Sequence, residues 1–283
     1  MTLAGLILAV IVSLGDTDRF AFGGRVALLK VEGLIADDEE FLEQLRRFRR
    51  DASVKGFVLA INSPGGVVGP SQSLYREVRK LREEDDRPII ASIGAVGASG
   101  GYYVALAADS IFALPGSITG SIGVIMEFPD VSGLLGKVGV EVAVVKSAEH
   151  KDIGSPFRHL SPEDRQIIGA LVEDVYQQFV EVVVQERRLP PAEVQSIADG
   201  RILSGRQALQ HGLVDRIGNV QDAVAAVGRM TGLGEDPRVV RPKEEEFTLL
   251  DLLLGRGAAA VLSRVAQPLE EHAGPRLKFV VPH

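Results

Sequence analysis

Between Val54 and Gly101 the sequence twice places a short apolar run directly before a glycine-rich breaker. VKGFVLAIN (54–62) runs into Ser63-Pro64-Gly65-Gly66, and RPIIASI (87–93) runs into GAVGASGG (94–101). Between them SQSLYREVRKLREE (71–84) carries Leu74, Tyr75, Val78 and Leu81 at helical spacing. Strand, breaker, helix, strand in that order points to a parallel pair joined by a right-handed crossover. Gly66 and Ser99 are 33 residues apart, which matches one crossover unit of roughly 30 residues.

The alternation extends both ways. RVALLKVEG (25–33) reads as a strand. ADDEEFLEQLRRFRR (36–50) reads as a helix, with apolar Phe41, Leu42, Leu45 and Phe48, acids first and arginines last, as the helix dipole favours. Downstream, IFAL (111–114) and SIGVIM (121–126) are short apolar runs separated by PGSITG, and EVAVVK (141–146) reads as a further strand. The longest helix is expected over 161–188, with Ser161 as N-cap, Pro162 in its first turn and acids beside them. SGRQALQHG, LVDRIG and NVQDAVAAVGRMTG then read as helix, strand and helix. The fold class is therefore α/β with a largely parallel sheet.

In such sheets functional loops gather outside the carboxyl ends of the strands. The loops holding Gly66 and Ser99 both follow strands, so they emerge at one edge. The loop after 141–146 contains Lys151 and is expected there too. Backbone N–H groups of a Gly-Gly pair can face a tetrahedral oxyanion, a contact worth about 3–4 kcal/mol per donor. Ser99, among glycines at an expected helix start, is a candidate nucleophile. An ordinary lysine, with a pKa near 10.4, is protonated at neutral pH. Burial lowers that value by several units, which makes a Ser–Lys dyad chemically feasible. Lys137 and Lys146 compete with Lys151, and spacing does not choose among them. Residues 97–101 also match the G-x-S-x-G pattern of a nucleophile elbow. Here, however, Gly94 to Ala98 are expected to separate Ser99 from its strand, and no HGGG-type loop is present.

Composition narrows the chemistry. Cys is absent from the 283 residues, which removes disulfides, thiolate metal sites and a cysteine nucleophile. The five histidines are His150, His159, His211, His272 and His283, and spacing alone leaves a Ser-His-Asp reading open. A net charge of −7 argues against nucleic acid or an anionic membrane surface as partner. Residues 2–15 carry no charge, and as a helix they would reach about 21 Å at ~1.5 Å per residue. That is short of a hydrocarbon core of roughly 30 Å. Segment 1–15 is therefore read as a partial membrane anchor or a signal-like segment, with a buried helix as the alternative.

The ordered set of motifs resembles the signal peptide peptidase A family, the S49-type Ser–Lys proteases. It comprises Ser63-Pro64-Gly65-Gly66, Val96-Gly97-Ala98-Ser99-Gly100-Gly101-Tyr102-Tyr103, Ile118-Thr119-Gly120-Ser121-Ile122-Gly123-Val124, Lys151-Asp152-Ile153-Gly154-Ser155-Pro156, and Gly200-Arg201 with Ala208 to Asp215. The resemblance spans about 26–233, in the manner of the short, single-repeat bacterial form. It implies a ClpP/crotonase-like spiral of repeated ββα-type units, with one catalytic domain over 25–233 and a C-terminal helical tail over 234–283. By the same resemblance Ser99 is the nucleophile, Lys151 the general base, and Ser121 the residue that orients the lysine amine. Gly66 and Gly100 N–H groups form the oxyanion hole. No metal or other cofactor is implied.

The resemblance further implies a homo-oligomeric ring in which one subunit supplies serine and a neighbour lysine. Substrates are signal-peptide remnants or other membrane-associated peptides, bound as extended strands. The expected location is a bacterial cell membrane, with the catalytic domain on the extracytoplasmic side. Two other readings compete: an acyl-CoA enzyme on the same crotonase-like fold, whose oxyanion donors also come from a glycine loop, and a non-catalytic membrane-associated scaffold. In the tail, the cluster Leu249, Leu250, Leu252, Leu253 and Leu254 is read as packing on a subunit, touching membrane or mimicking substrate.

Overall fold

Two long neighbouring strands, β1 (Arg25–Ile35) and β2 (Val54–Val67), pair in parallel and form the centre of the sheet. This is a computed structural model of the chain, and it describes residues 23–242 and 278–280. Segment 1–15 and the leucine cluster at 249–254 lie outside the described residues. β3 (Ile89–Gly97) pairs in parallel with β2, and β4 (Ser110–Ala113) with β3. The short strands β7 (Arg216–Ile217) and β8 (Val239–Val240) extend the parallel array on β4 and β1. β5 (Ile118–Gly120) joins the C-terminal end of β3 and carries β6 (Ile202–Ser204) in antiparallel pairing.

Both faces of the sheet are covered, so its strands are near-continuous apolar runs. Val26, Leu28, Val58 and Ile90 pack with Ala223, Val224 and Val227 of helix α8 (Val220–Met230). Their neighbours Ala27, Leu29, Leu59, Ile61, Ala91 and Ile93 enter the larger core on the other face. That core is closed by α1 (Glu39–Arg50), α2 (Val68–Glu84), α3 (Gly100–Ala105) and α5 (Pro162–Arg187). The expected apolar faces of α1 and α2 are the buried ones. α5 begins as its sequence predicts, with Ser161 and Asp164 exchanging side-chain to backbone hydrogen bonds in a capping box. The remaining helices are α4 (Ser132–Lys137), α6 (Pro191–Ile197) and α7 (Gly205–Gln210).

Three expectations change. Ser63 to Gly66 do not end β2 but continue it to Val67, through register shifts against both neighbours. PGSITG is not merely a spacer, because β5 lies within it, whereas 121–126 holds only a bridge at Ile125. EVAVVK (141–146) is not a strand. Val142, Val144 and Val145 are exposed, with no described backbone beside them to pair with. An apolar alternation alone cannot create a strand without a partner edge.

Each described part of the tail, 234–242 and 278–280, holds a strand and no helix. β8 belongs to the sheet, and β9 (Lys278–Val280) pairs antiparallel with β2. No described helix is long and apolar enough to cross a membrane.

Candidate active site

β3 runs to Gly97, and Ala98 alone separates it from Ser99, which is followed at once by α3. The expected gap of Gly94 to Ala98 is thus corrected to Ala98 alone: Gly94 to Gly97 belong to β3. Gly97 pairs with Ser63, Val96 pairs with Ile118, and the Val96 N–H donates to Asn62 Oδ1 at 3.2 Å. Ser99 therefore sits on a sharp strand-to-helix turn, at φ 52° and ψ −117°. A non-glycine residue held at positive φ costs about 1–3 kcal/mol, and such strain clusters at functional sites.

Three backbone bonds hold that conformation. Ala98 N–H donates to the Ser63 carbonyl at 3.1 Å, Ser99 N–H to Gly120 at 2.8 Å, and Tyr103 N–H to Ser99 at 2.8 Å. The Ser99 side chain is buried, and its Oγ has no hydrogen-bond partner among the described residues. Leaving a buried hydroxyl unpaired costs roughly 1–3 kcal/mol.

The expected oxyanion donors lie beside it. Gly66 passes so close to β1 that a side-chain carbon there would sit 2.1 Å from the Ile35 carbonyl oxygen. A carbon on Gly100 would lie 2.6 Å from Ser71 Oγ and 3.1 Å from the Gly66 nitrogen. The two backbones thus adjoin; backbone excludes any side chain at Gly66, and a side chain at Gly100 meets chiefly the Ser71 hydroxyl. Ser63 Oγ accepts from the Gly65 N–H at 3.1 Å and fixes the approach to Gly66.

Ser121 is the third expected member. It directly follows Gly120, whose carbonyl accepts the Ser99 N–H, so the fold brings the two serines together. Ser121 is buried, at φ 50°, and its N–H donates to the Arg201 carbonyl at 2.8 Å. Thr119 Oγ1 donates to the Gly97 carbonyl at 2.7 Å and ties this segment to the end of β3.

Lys151 stands apart. It is exposed on a 3₁₀ turn (Glu149–Asp152), and it is not the partner of Ser99 Oγ within this chain. The two competing lysines now separate from it. Lys146 Nζ is committed to the Glu149 carbonyl at 2.6 Å and to Asp152 Oδ1 at 2.8 Å. Lys137 ends exposed α4. The turn carrying Lys151 is fixed from behind by Asp152, which accepts from Arg158 Nε and Nη2 at 3.0 Å each. Arg158 also donates to Asp164 of the α5 capping box. Hydrogen bonds from Arg158 and then Lys146 hold the Asp152 carboxyl down to about 2. Gly154, at φ 77°, closes the turn against the Phe128 ring.

The histidines near this loop are engaged elsewhere. His159 Nδ1 bonds the Asp130 carboxylate, and His150 lies 3.6 Å from Glu163. Among the described residues no group of three His, Asp or Glu side chains could hold a metal ion.

Sequence reasoning gave no role to Thr119, Asp152 or Arg158. Asp152 was visible as the second residue of the Lys-Asp-Ile-Gly-Ser-Pro run. Nothing marked Arg158 in advance, because its importance lies in bridging two carboxylates six residues away on either side.

A family model described as peptidase family S49 matches residues 82–233, a span that includes Ser99, Gly100, Ser121 and Lys151. A Synechocystis protein provisionally named protease slr0021 is 39% identical over 82% of this chain and 83% of its own length. An Enterococcus faecium protein provisionally named signal peptide peptidase SppA is 37% identical, over 83% of this chain and 72% of its own. Protease 4 of Salmonella typhi is 32% identical over 88% of this chain, which spans 41% of that longer protein.

Proposed function

Because the chain belongs to peptidase family S49, we propose that this peptidase is a serine endopeptidase with Ser99 as nucleophile and Lys151 of a neighbouring copy as base. The observation that carries the reading is the Ser99 hydroxyl: buried, unpartnered, on a strained turn, and next to two glycine backbones. Supply of the lysine by a neighbour is supported by Lys151 being exposed and absent from Ser99 in its own chain. Uncovered Val142, Val144 and Val145 on the same arm support a contact between copies. A ring of copies, each lending its lysine to the next, satisfies both observations.

The steps follow from these groups. Neutral Lys151 takes the Ser99 proton as Oγ bonds to the substrate carbonyl carbon. The carbonyl π electrons move to oxygen, which Gly66 and Gly100 N–H groups receive. Ser121 accepts a hydrogen bond from the lysine amine and keeps it aimed at Ser99. When the C–N bond breaks, the departing amine takes the proton from the Lys151 ammonium. Water, deprotonated by the same lysine, then attacks the acyl–serine ester; the C–Oγ bond breaks, the Lys151 ammonium returns its proton to Ser99 Oγ, and the acyl group leaves as a carboxylic acid.

Signal-peptide remnants or other membrane-associated peptides are the proposed substrates, supported by the name of the Enterococcus faecium relative and by the uncharged segment 2–15. The same two points support a bacterial membrane location; the extracytoplasmic side for the catalytic domain is proposed with it on the family resemblance alone. The test is covalent labelling of the full chain by a fluorophosphonate probe. Wild type is expected to label at one residue and Ser99→Ala not to label. Undiminished labelling of Ser99→Ala would overturn the assignment.

A further inference from the structure

Ser71 is a buried hydroxyl to which the steps above give no part. It lies at the end of the first turn of α2, the helix that β2 enters directly after Gly66 and Val67. No part of it reaches solvent. Its Oγ donates to the carbonyl of Val67, four residues back and adjacent to Gly66, at 2.9 Å. On its other side the same oxygen lies against α3, because a side-chain carbon on Gly100 would come 2.6 Å from it. That carbon would also be 3.1 Å from the Gly66 nitrogen. One hydroxyl therefore touches both backbone segments whose N–H groups are the proposed oxyanion donors.

Helix stability does not call for a serine at this place. Serine has a lower helix propensity than alanine, and a hydroxyl bonded back to the carbonyl four residues earlier slightly destabilises and bends a helix. The turn from β2 into α2 does need fixing. Val67 is the N-cap of α2, and Pro70 has no N–H with which to hold the Gly66 carbonyl. Ser71 grips the Val67 carbonyl with its side chain instead, one residue beyond Gly66. The direction of the Gly66 N–H depends on how this turn is set. Across the gap, Gly100 opens α3 directly after Ser99.

We propose that Ser71 is a positioning residue for the oxyanion site, whose side chain sets the spacing between the Gly66 and Gly100 N–H groups. Its proton is committed to Val67, so it is not a third donor to the oxyanion. It acts as a spacer, tied to one segment by a hydrogen bond and packed on the other. The proposal rests on Gly66 and Gly100 donating to the oxyanion that forms when Ser99 attacks. Two preorganised donors act together only when both reach the same oxygen, and a misplacement of about 1 Å costs up to about 100-fold in rate.

The test uses the full chain, a fluorogenic peptide, and a peptide aldehyde of the same sequence, whose adduct with Ser99 carries the tetrahedral oxygen. Ser71→Ala is expected to lower kcat about 10-fold with KM unchanged. It is expected to weaken the aldehyde by about the same factor, because the donors are used in the tetrahedral state and not by bound substrate. Its melting temperature is expected to stay close to that of wild type, and kcat/KM still to rise with pH, since the base is untouched. If Ser71→Ala does not fold, Ser71→Cys takes its place with the same readings. Combined with Gly100→Ala, Ser71→Ala leaves room for the new methyl, and the double variant is expected to lose less kcat than the product of the two single losses. Unchanged kcat and aldehyde affinity, or a loss matched by a rise in KM or a fall in melting temperature, overturns the spacer and spares Ser99, provided fluorophosphonate still labels it. Losses that simply multiply overturn the contact with Gly100. Absence of both labelling and turnover in wild type overturns the catalytic reading, and this proposal with it.

Discussion

The Ser99 amide donates to the Gly120 carbonyl at 2.8 Å, and this one bond joins the turn that carries Ser99 to the turn that carries Ser121. Both serines stand at positive φ, 52° and 50°. Neither turn would keep this shape alone. Each is held by the other, and together by Thr119, whose hydroxyl reaches back to Gly97.

Thr119→Val tests that coupling. The substitution keeps the shape of the side chain and leaves the buried Gly97 carbonyl without its partner. The expected cost is about 1–3 kcal/mol of stability, read by denaturant unfolding. The rate of Ser99 acylation is expected to fall further than the stability loss alone accounts for, because the strained turn relaxes.

The two glycines proposed as oxyanion donors, Gly66 and Gly100, separate structure from catalysis. Gly66→Ala forces a carbon to 2.1 Å from the Ile35 backbone, which cannot move aside. Misfolding or a loss of several kcal/mol is expected. Gly100→Ala meets the Ser71 hydroxyl at the end of a short side chain and comes within 3.1 Å of the Gly66 nitrogen, the other proposed oxyanion donor. Its melting temperature is expected to change modestly while kcat drops about 100-fold or more.

The arm behind Lys151 gives a prediction with a definite pH direction. Asp152 is held at about 2, below its ordinary 3.8, by Arg158 and Lys146. Its ionised form is the one the folded arm binds, so that contribution is complete above about pH 4 and disappears as pH falls through about 2. Hydrogen exchange over 149–164 is expected to stay slow down to this window and then accelerate. Asp152→Asn is expected to exchange fast already at neutral pH and to lose activity, though Lys151 itself is intact.

Only a neutral amine can accept the Ser99 proton, so kcat/KM is expected to rise with pH across the neutral range. His150→Ala and His159→Ala are expected to retain that profile. If either substitution abolished turnover while Lys151→Ala did not, an imidazole would be the base.

The sheet and its helices were largely legible in the sequence because burial on both faces leaves apolar runs, and because α5 announces itself with Ser161, Pro162 and two acids. Strand ends were less legible. Gly65, Gly66 and Gly97 signal a break by composition, yet pairing with neighbouring backbones keeps them within their strands. The valines at 142, 144 and 145 carry a strand pattern with no edge beside them. Ser99 and the Gly65-Gly66 loop were candidates from their place after strands, whereas Ser121, Gly100 and the choice of Lys151 over Lys137 and Lys146 came from the resemblance, and the fold gathers all of these but Lys151. Phe279 left no mark in advance. A three-residue strand has no periodicity to detect, and its place depends on the β2 edge that β3 vacates.

The central claim is that one copy's Ser99 is activated by another copy's Lys151. Its most direct measurement mixes two inactive full-length variants, Ser99→Ala and Lys151→Ala, and follows cleavage of a fluorogenic peptide. Exchange between copies is expected to restore a substantial fraction of wild-type activity, since some sites regain both groups. Variants shown to have exchanged subunits that stay inactive together would place serine and lysine in the same chain and contradict the account.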